Sequence, residues 1–248
     1  MRGGVVRVLV LGGGGREHAI VSALVESPKV SAVYAAPGNG GTATIATNVD
    51  LDLTSATEVV AYAERTGIGL VVIGPEAPLV LGIADELREA NIATFGPGAV
   101  GAQLEGSKAF SKALMKRNGI PTGAYEVFAD REHALGYIEE VGAPIVVKAD
   151  GLAAGKGVIV AMTKAEAFQA VEDCFSGAFG DAGATVVIEE YLAGPECSLL
   201  VFTDGETTLP MATAQDHKRA LEGDTGPNTG GMGVYSPVPI VRFDEYDE

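Results

Sequence analysis

Positive charge is scarce in this sequence. Its 248 residues hold 17 Lys and Arg against 33 Asp and Glu, a formal net charge of -16. Binding along a nucleic-acid backbone needs a basic face, so nucleic acid is not an expected partner, although small phosphorylated ligands are not excluded. Cysteine is also rare. Cys174 and Cys197 are too few and too far apart for a metal motif or a disulfide framework, and are expected to be core thiols in a reducing compartment. Long apolar runs are missing, and Met1 to Leu11 is a short strand pattern without a signal peptide's apolar region and cleavage site. A cytoplasmic protein with no membrane partner is the expectation. Apolar residues make up 47% of the chain, ample for one large core or two ordinary ones.

Glycine is plentiful by contrast, and its most informative use lies between two β-branched runs, Ile145 to Val147 and Val158 to Val160. Lys148 ends the first run, and Asp150 to Gly157 (DGLAAGKG) joins them. Backbone N–H groups of a glycine loop approach an anion closely, and Lys148 and Lys156 place positive charge at either end. A triphosphate suits such a loop. It is not a P-loop, because Lys156 is followed by Gly157 and a β-rich run rather than by a hydroxyl residue opening a helix. The alternative is a mobile surface hairpin. Against it stands Lys148, since a lysine on an apolar strand rarely goes inside without an anionic partner.

At the N-terminal side, Arg7 to Leu11 reads as a strand running into Gly12 to Gly15, Arg16, Glu17 and His18, followed by a helical pattern and a second strand, Val30 to Ala35. This is a βαβ unit with glycines at its first turn. NAD is disfavoured: His18 stands where the third fingerprint glycine belongs, and no acid follows the second strand. A phosphate at the helix N-terminus, beside Arg16, remains sensible. The turn Pro37 to Thr42 should share the same sheet edge, so the two loops form either one ligand pocket or two tight turns. Glu76 follows the strand Leu70 to Ile73, where strand ends present side chains to ligands. The breaker cluster Gly96-Pro97-Gly98 marks a domain boundary, giving domains 1–100 and 101–248.

Beyond it, a helix begins near Ser107, a plausible N-cap, with Lys108, Lys112 and Lys116 four apart on one face. A small α/β region of about 122–190 follows, entered and left once and able to move as a lid: strand Tyr125 to Phe128, helix Arg131 to Val141, the glycine hairpin, helix Lys164 to Cys174 and strand Thr185 to Glu189. Glu189 and Glu190 end that strand beside Leu192 and the hinge-like Gly194-Pro195, with Glu196 next; such an edge can hold an adenine and a ribose, or be a solvated strand end. Strands Cys197 to Phe202 and Thr208 to Ala214 lead to Asp216, His217, Lys218 and Arg219, a cluster suited to handling a phosphoryl or carboxyl group. A lone histidine such as His217 is more often structural. Gly223 to Gly233 reads as a glycine-rich binding loop.

Taken together, GGGGREHA (12–19), PGNGGT (37–42), GPEAPL (74–79), GSKAFSK (106–112), VVKADGLAAGKGV (146–158), EEYLAGPECSLL (189–200), QDHKR (215–219) and GPNTGGMGVYSP (226–237) resemble the phosphoribosylamine-glycine ligase family of ATP-grasp enzymes, in family order and over nearly the whole chain. The resemblance implies an α/β fold: a Rossmann-like parallel-sheet preATP-grasp domain, then an incomplete α+β ATP-grasp domain. It implies that Lys108 and Lys148 contact ATP, that Gly151, Gly155, Lys156 and Gly157 belong to the loop covering its phosphates, and that Glu189, Glu190, Leu192 and Glu196 hold adenine and ribose. Gly14, Gly15, Arg16, Asn39, Gly40, Thr42 and Glu76 would face 5-phosphoribosylamine, and Asp216 and Lys218, with His217 and Arg219, would line the glycine site.

The reaction so implied converts the glycine carboxylate to glycyl phosphate with ATP and magnesium or manganese. The amine of 5-phosphoribosylamine then attacks, giving glycinamide ribonucleotide, ADP and phosphate. A late Glu-x-x-Asn metal pair and a Gly-Asp-Pro-Glu stretch of the family have no counterpart, so a fragment without metal ligands is expected, and a monomer. Two other readings stand beside this one: another ATP-grasp enzyme such as a purine-pathway carboxylase, which PGNGGT and QDHKR oppose, and a nucleotide-binding ATP-grasp module without catalysis.

Overall fold

In the computed structural model, which describes residues 5–152, 157–223 and 225–241, the chain divides into two compact units, Met1–Ser111 and Lys112–Glu248. The first is built on strand β1 (Val6–Gly12), whose five consecutive buried residues are apolar enough to be covered on both faces. It is followed by α1 (Gly15–Val25), β2 (Val30–Pro37), β3 (Thr47–Asn48), α2 (Ala56–Thr66), β4 (Leu70–Ile73), α3 (Glu76–Val80), α4 (Ile83–Glu89), β5 (Ala93–Phe95) and α5 (Ala99–Gly106). The five strands pair in parallel in the order β3-β2-β1-β4-β5. Alternate residues of β1 serve opposite faces: Leu9 and Leu11 join Val59, Ile83 and Leu87 from α2 and α4, while Val8 and Val10 join Val21 from α1.

Strand order reverses at β1, and Gly12 pairs with Pro37 while Leu11 pairs with Ile73. The loops after β1, β2 and β4 therefore share one sheet edge, the place where open α/β sheets bind ligands. Helix α5 is not anticipated by the sequence reading. Gly96-Pro97-Gly98 breaks the chain only briefly, and the Asp85 carboxylate accepts the Ala99 N–H at 2.7 Å as the new helix starts.

Helix α6 (Lys108–Asn118) spans the division, and Ser107 caps it by accepting the Phe110 N–H at 3.1 Å. The second unit continues with β6 (Tyr125–Phe128), α7 (Arg131–Val141), β7 (Ile145–Ala149), β8 (Val158–Ala161), α8 (Lys164–Phe175) and β9 (Val186–Glu190). These strands form an antiparallel sheet, β6-β9-β7-β8. Ile145, Val147, Val186 and Ile188 pack against Ala134 and Ile138 of α7 and Ala167, Val171 and Cys174 of α8. Since side chains alternate along a strand, Val146, Lys148, Val187 and Glu189 occupy the opposite face. Cys174 is a core thiol, pushed by burial, and then by Asp173, up to about 11. Cys197 is exposed, contrary to the expectation of a core position.

Two short ribbons follow: β10 (Val201–Thr203) with β11 (Thr208–Pro210), and β12 (Gln215–Leu221) with β13 (Thr225–Tyr235). The strands expected over Cys197 to Phe202 and Thr208 to Ala214 are thus shorter, with Ser198 and Ala214 meeting in an isolated bridge. Thr225 to Gly233 of the segment read as a glycine-rich loop lie on strand β13. A ladder is made by backbone groups, which glycine has, and the register shifts between His217 and Arg219 and between Arg219 and Leu221 absorb its irregularity.

Candidate functional site

Each unit carries its own cluster of candidate residues. In the first, Glu17 organises the edge and was not singled out from the sequence. Its buried carboxylate accepts the Gly14 N–H at 2.8 Å and the Arg16 Nε–H at 2.8 Å, and Arg16 Nη1 reaches Glu76 Oε1 at 3.3 Å. Burial by itself pushes the Glu17 carboxyl up, but the hydrogen bonds from Arg16 and the Gly14 N–H, with the guanidinium charge, together hold it below the usual carboxylate range. A Cβ at Gly14 would lie 2.8 Å from Glu17 Oε2, and one at Gly12 or Gly74 would also collide with the Glu17 side chain. Three glycines from two turns therefore make room for one carboxylate. No sequence pattern signals this, because Gly74 is joined to Glu17 only by the pairing of β4 with β1.

The second loop is knitted to the first. Asn39 donates from Nδ2 to the Gly13 carbonyl at 3.0 Å and accepts the N–H groups of Gly41 and Thr42 at 2.8 and 3.0 Å. Thr42 is fully buried, donating to Asn48 Oδ1 at 2.7 Å and accepting the Asn39 N–H at 2.7 Å. Side chains of Asn39 and Thr42 thus hold the loop itself. A Cβ on Gly15 or Gly40 would meet nothing within 4 Å, so the edge is open at these two glycines. A cleft of about 280 Å³ runs from Glu76 past Leu79, Pro97 and Ala102 to Glu105.

In the second unit, register sets the geometry. Val146 of β7 lies opposite Glu189 of β9, and Lys148 lies opposite Val187, so Glu189 and Lys148 are diagonal neighbours on one face. Glu189 Oε2 stands 2.9 Å from Lys148 Nζ and 2.8 Å from Lys112 Nζ. The anionic partner that the sequence demanded for Lys148 is therefore Glu189. Lys112 also donates to Thr122 Oγ1 at 2.7 Å, and Lys112 and Lys116 sit 5.6 and 5.7 Å from the centre of the Tyr125 ring. Lys112 is buried. Lys108, at the head of α6, is half-buried and engaged with neighbours.

Past Lys148, the Asp150 N–H donates to the Thr185 carbonyl at 2.8 Å and the Ala149 N–H to the Gly157 carbonyl at 2.8 Å, closing the base of the loop. Asp150, Gly151 and Leu152 line an open groove of about 350 Å³ with Ala182 and Thr185. Gly155 and Lys156 lie outside the described residues. Glu190 accepts the Ala124 N–H at 3.1 Å through its carboxylate, and Leu192 and Glu196 are exposed.

The segment Asp216 to Arg219 does not act as one cluster. It lies on β12, where neighbours face opposite ways. Lys218 Nζ is 3.8 Å from Asp216 and 3.7 Å from Glu196. His217 instead stacks on Tyr235 with ring centroids 5.5 Å apart, and Arg219 donates to the Gly226 carbonyl at 2.9 Å. Asp216, Lys218 and Glu196 are brought together, whereas His217 and Arg219 are tied to their own hairpin. Among the described residues, no group of three or more His, Cys, Asp or Glu side chains is placed to hold a metal ion.

A family model described as the N domain of phosphoribosylglycinamide synthetase matches residues 6–105, and one described as the ATP-grasp (A) domain of the same family matches residues 106–248. The chain belongs to the phosphoribosylglycinamide synthetase family. Curated relatives include the phosphoribosylamine-glycine ligases of Agrobacterium fabrum, 59% identical over 236 residues (95% of this chain, 56% of the relative), and Vibrio cholerae, 55% identical over 245 residues (98% and 57%). The chain thus spans about half the length of these family members. The crystal structure of the Thermotoga maritima phosphoribosylamine-glycine ligase superposes with a TM-score of 0.77 at 35% identity, covering 94% of this chain and 56% of that one. A biotin carboxylase domain from Hydrogenobacter thermophilus, solved with MgADP, shares the fold alone: its TM-score is 0.68 at 21% identity, over 86% of this chain and 50% of that one. Among the described residues, no helix is long and apolar enough to cross a membrane.

Proposed function

We propose that this chain carries the nucleotide-gripping and amine-binding parts of an enzyme that ligates glycine to 5-phosphoribosylamine using ATP. In that reaction a glycine carboxylate oxygen attacks the terminal phosphorus of ATP and ADP leaves. The phosphoribosylamine nitrogen then attacks the acyl carbon, phosphate leaves, and the nitrogen sheds a proton. The observation that carries the reading is the Lys148 ammonium, held by Glu189 at 2.9 Å on the lid sheet and backed by a second lysine. Two cations on one carboxylate leave an excess of positive charge where a phosphate chain needs it.

The remaining roles follow the family pattern and belong to this proposal. Lys108 joins Lys148 on the nucleotide, Gly151 to Gly157 covers its phosphates, and Glu189, Glu190, Leu192 and Glu196 form the edge for adenine and ribose. Glu189 serves by its position and backbone, since its carboxylate is occupied. Gly14, Gly15, Arg16, Gly40 and Glu76 face the phosphoribosylamine, with Asn39 and Thr42 shaping that loop. Asp216 and Lys218 receive glycine; His217 and Arg219 stiffen their strand. Domains of 1–100 and 101–248, with a lid of about 122–190, are part of the same reading. The described residues do not fit a magnesium or manganese site by themselves, and no step is assigned to either ion.

Titration calorimetry of the 248-residue chain with ATP, beside ADP release assayed with glycine and phosphoribosylamine, tests this. Lys148→Met is expected to weaken ATP binding by about 1.5 to 3 kcal/mol, the scale of a charge-assisted hydrogen bond. Unchanged affinity removes Lys148 from the site. ATP binding without glycine-dependent ADP release favours the nucleotide-binding module, and bicarbonate-dependent release favours a carboxylase.

A further inference from the structure

Lys112 is assigned no contact with a ligand in the reading just given, yet it is the deeper of the two lysines that meet at Glu189. Its side chain is 11% exposed, against 8% for Glu189 and 25% for Lys148. Both lysines approach the same carboxylate oxygen, so their ammonium groups cannot be farther apart than the sum of 2.8 and 2.9 Å. Like charges that close repel appreciably wherever water is excluded. An ammonium has three N–H donors. Lys112 directs its donors at Glu189, at Thr122 Oγ1 at 2.7 Å and, more weakly, at the Gly123 carbonyl at 3.5 Å. It has nowhere else to go. Lys148 gives one donor to Glu189 and is the more exposed of the pair, so it is the one that an arriving anion can draw away.

We propose that Lys112 is a positioning residue for Lys148: by holding Glu189 from the α6 side and repelling the second ammonium, it keeps Lys148 loosely tethered and available to a phosphate. The inference rests on the reading that Lys148 grips the nucleotide. Without Lys112, Glu189 has a single counter-ion and keeps Lys148 to itself. A purely structural Lys112 would need only its hydrogen bonds; a positioning Lys112 needs its charge.

The test compares the 248-residue chain with Lys112→Gln, which keeps hydrogen-bonding capacity without charge, and Lys112→Arg, which keeps the charge. The first readout needs no nucleotide: the rate at which an amine-acylating reagent labels Lys148, followed by peptide mass spectrometry. The second is ATP affinity by calorimetry. In Lys112→Gln, labelling of Lys148 should slow and ATP affinity fall, each by about tenfold, the loss expected when a charge-assisted contact is withdrawn. Lys112→Arg should restore both to within about twofold on the same grounds. Labelling at the original rate in Lys112→Gln, with an unchanged melting temperature, overturns the proposal. If Lys112→Gln does not fold, slowed labelling in Lys112→Arg overturns it instead, and labelling at the original rate supports it. Slowed labelling in Lys112→Gln with no ATP binding even by the unsubstituted chain upholds the positioning role and sinks the nucleotide reading.

Discussion

A buried carboxylate at a loop proposed to bind a phosphorylated amine looks misplaced until its partners are counted. Glu17 takes the Gly14 N–H and the Arg16 Nε–H, and fixes the guanidinium whose other edge meets Glu76. Its carboxyl is held below the usual value near 4.5. A carboxyl with a depressed folded-state pKa contributes stability that is present above its unfolded pKa and is lost as pH falls through the folded value. Glu17→Gln should therefore lower stability by about 1 to 3 kcal/mol near neutral pH, the range for hydrogen bonds to a charged group. The difference from the unsubstituted chain should shrink below pH 4.5, as Glu17 takes up its proton. Urea midpoints from pH 3 to 7 check both statements. Gly74→Ala tests the same packing from the other side, since its methyl would enter the space of the Glu17 side chain. A loss of about 1 to 3 kcal/mol is expected, as for other overpacked sites.

Elements that are locally specified were legible in the sequence. Helix α7 runs over the expected Arg131–Val141, started by the Asp130 carboxylate accepting the His133 N–H at 2.9 Å. Helix α8 starts with a capping box in which Thr163 accepts the Glu166 N–H at 3.3 Å and Glu166 accepts the Thr163 N–H at 3.1 Å. Thr163→Ala should cost about 0.5 to 2 kcal/mol in denaturant unfolding, the usual penalty for a lost N-cap. A smaller change would mean that Glu166 holds the end unaided. What the sequence hid depends on partners far along the chain. Strand β13 is too rich in glycine to announce itself, and pairs only because β12 precedes it. Asp216 to Arg219 reads as one reactive cluster in the sequence, and strand alternation divides it. Lys148 was legible as needing an anion, but the second cation on that anion came from α6, and no spacing connects Lys112 to Glu189.

The whole chain carries two opposing surface properties. A net charge of -16 makes copies repel, while Leu199, Leu200, Val201, Phe202, Leu209 and Met211 are all exposed around a ribbon of two strands. Val201 and Phe202 are adjacent on β10, so they face opposite ways, and each is nearly half exposed. A two-stranded ribbon is marginal in water by itself, and apolar residues on both its faces make it sticky as well. Repulsion between like-charged chains is screened over about 10 Å at 0.1 M salt and over much less at 1 M. Sedimentation of the 248-residue chain should therefore show self-association that rises with sodium chloride concentration, accompanied by binding of an apolar dye. Val201→Thr with Phe202→Thr should suppress both while leaving the melting of the β6-β9-β7-β8 sheet unchanged, because neither residue belongs to that core. Association that weakens with salt, or that survives the double substitution, would place the contact elsewhere and make it electrostatic rather than apolar.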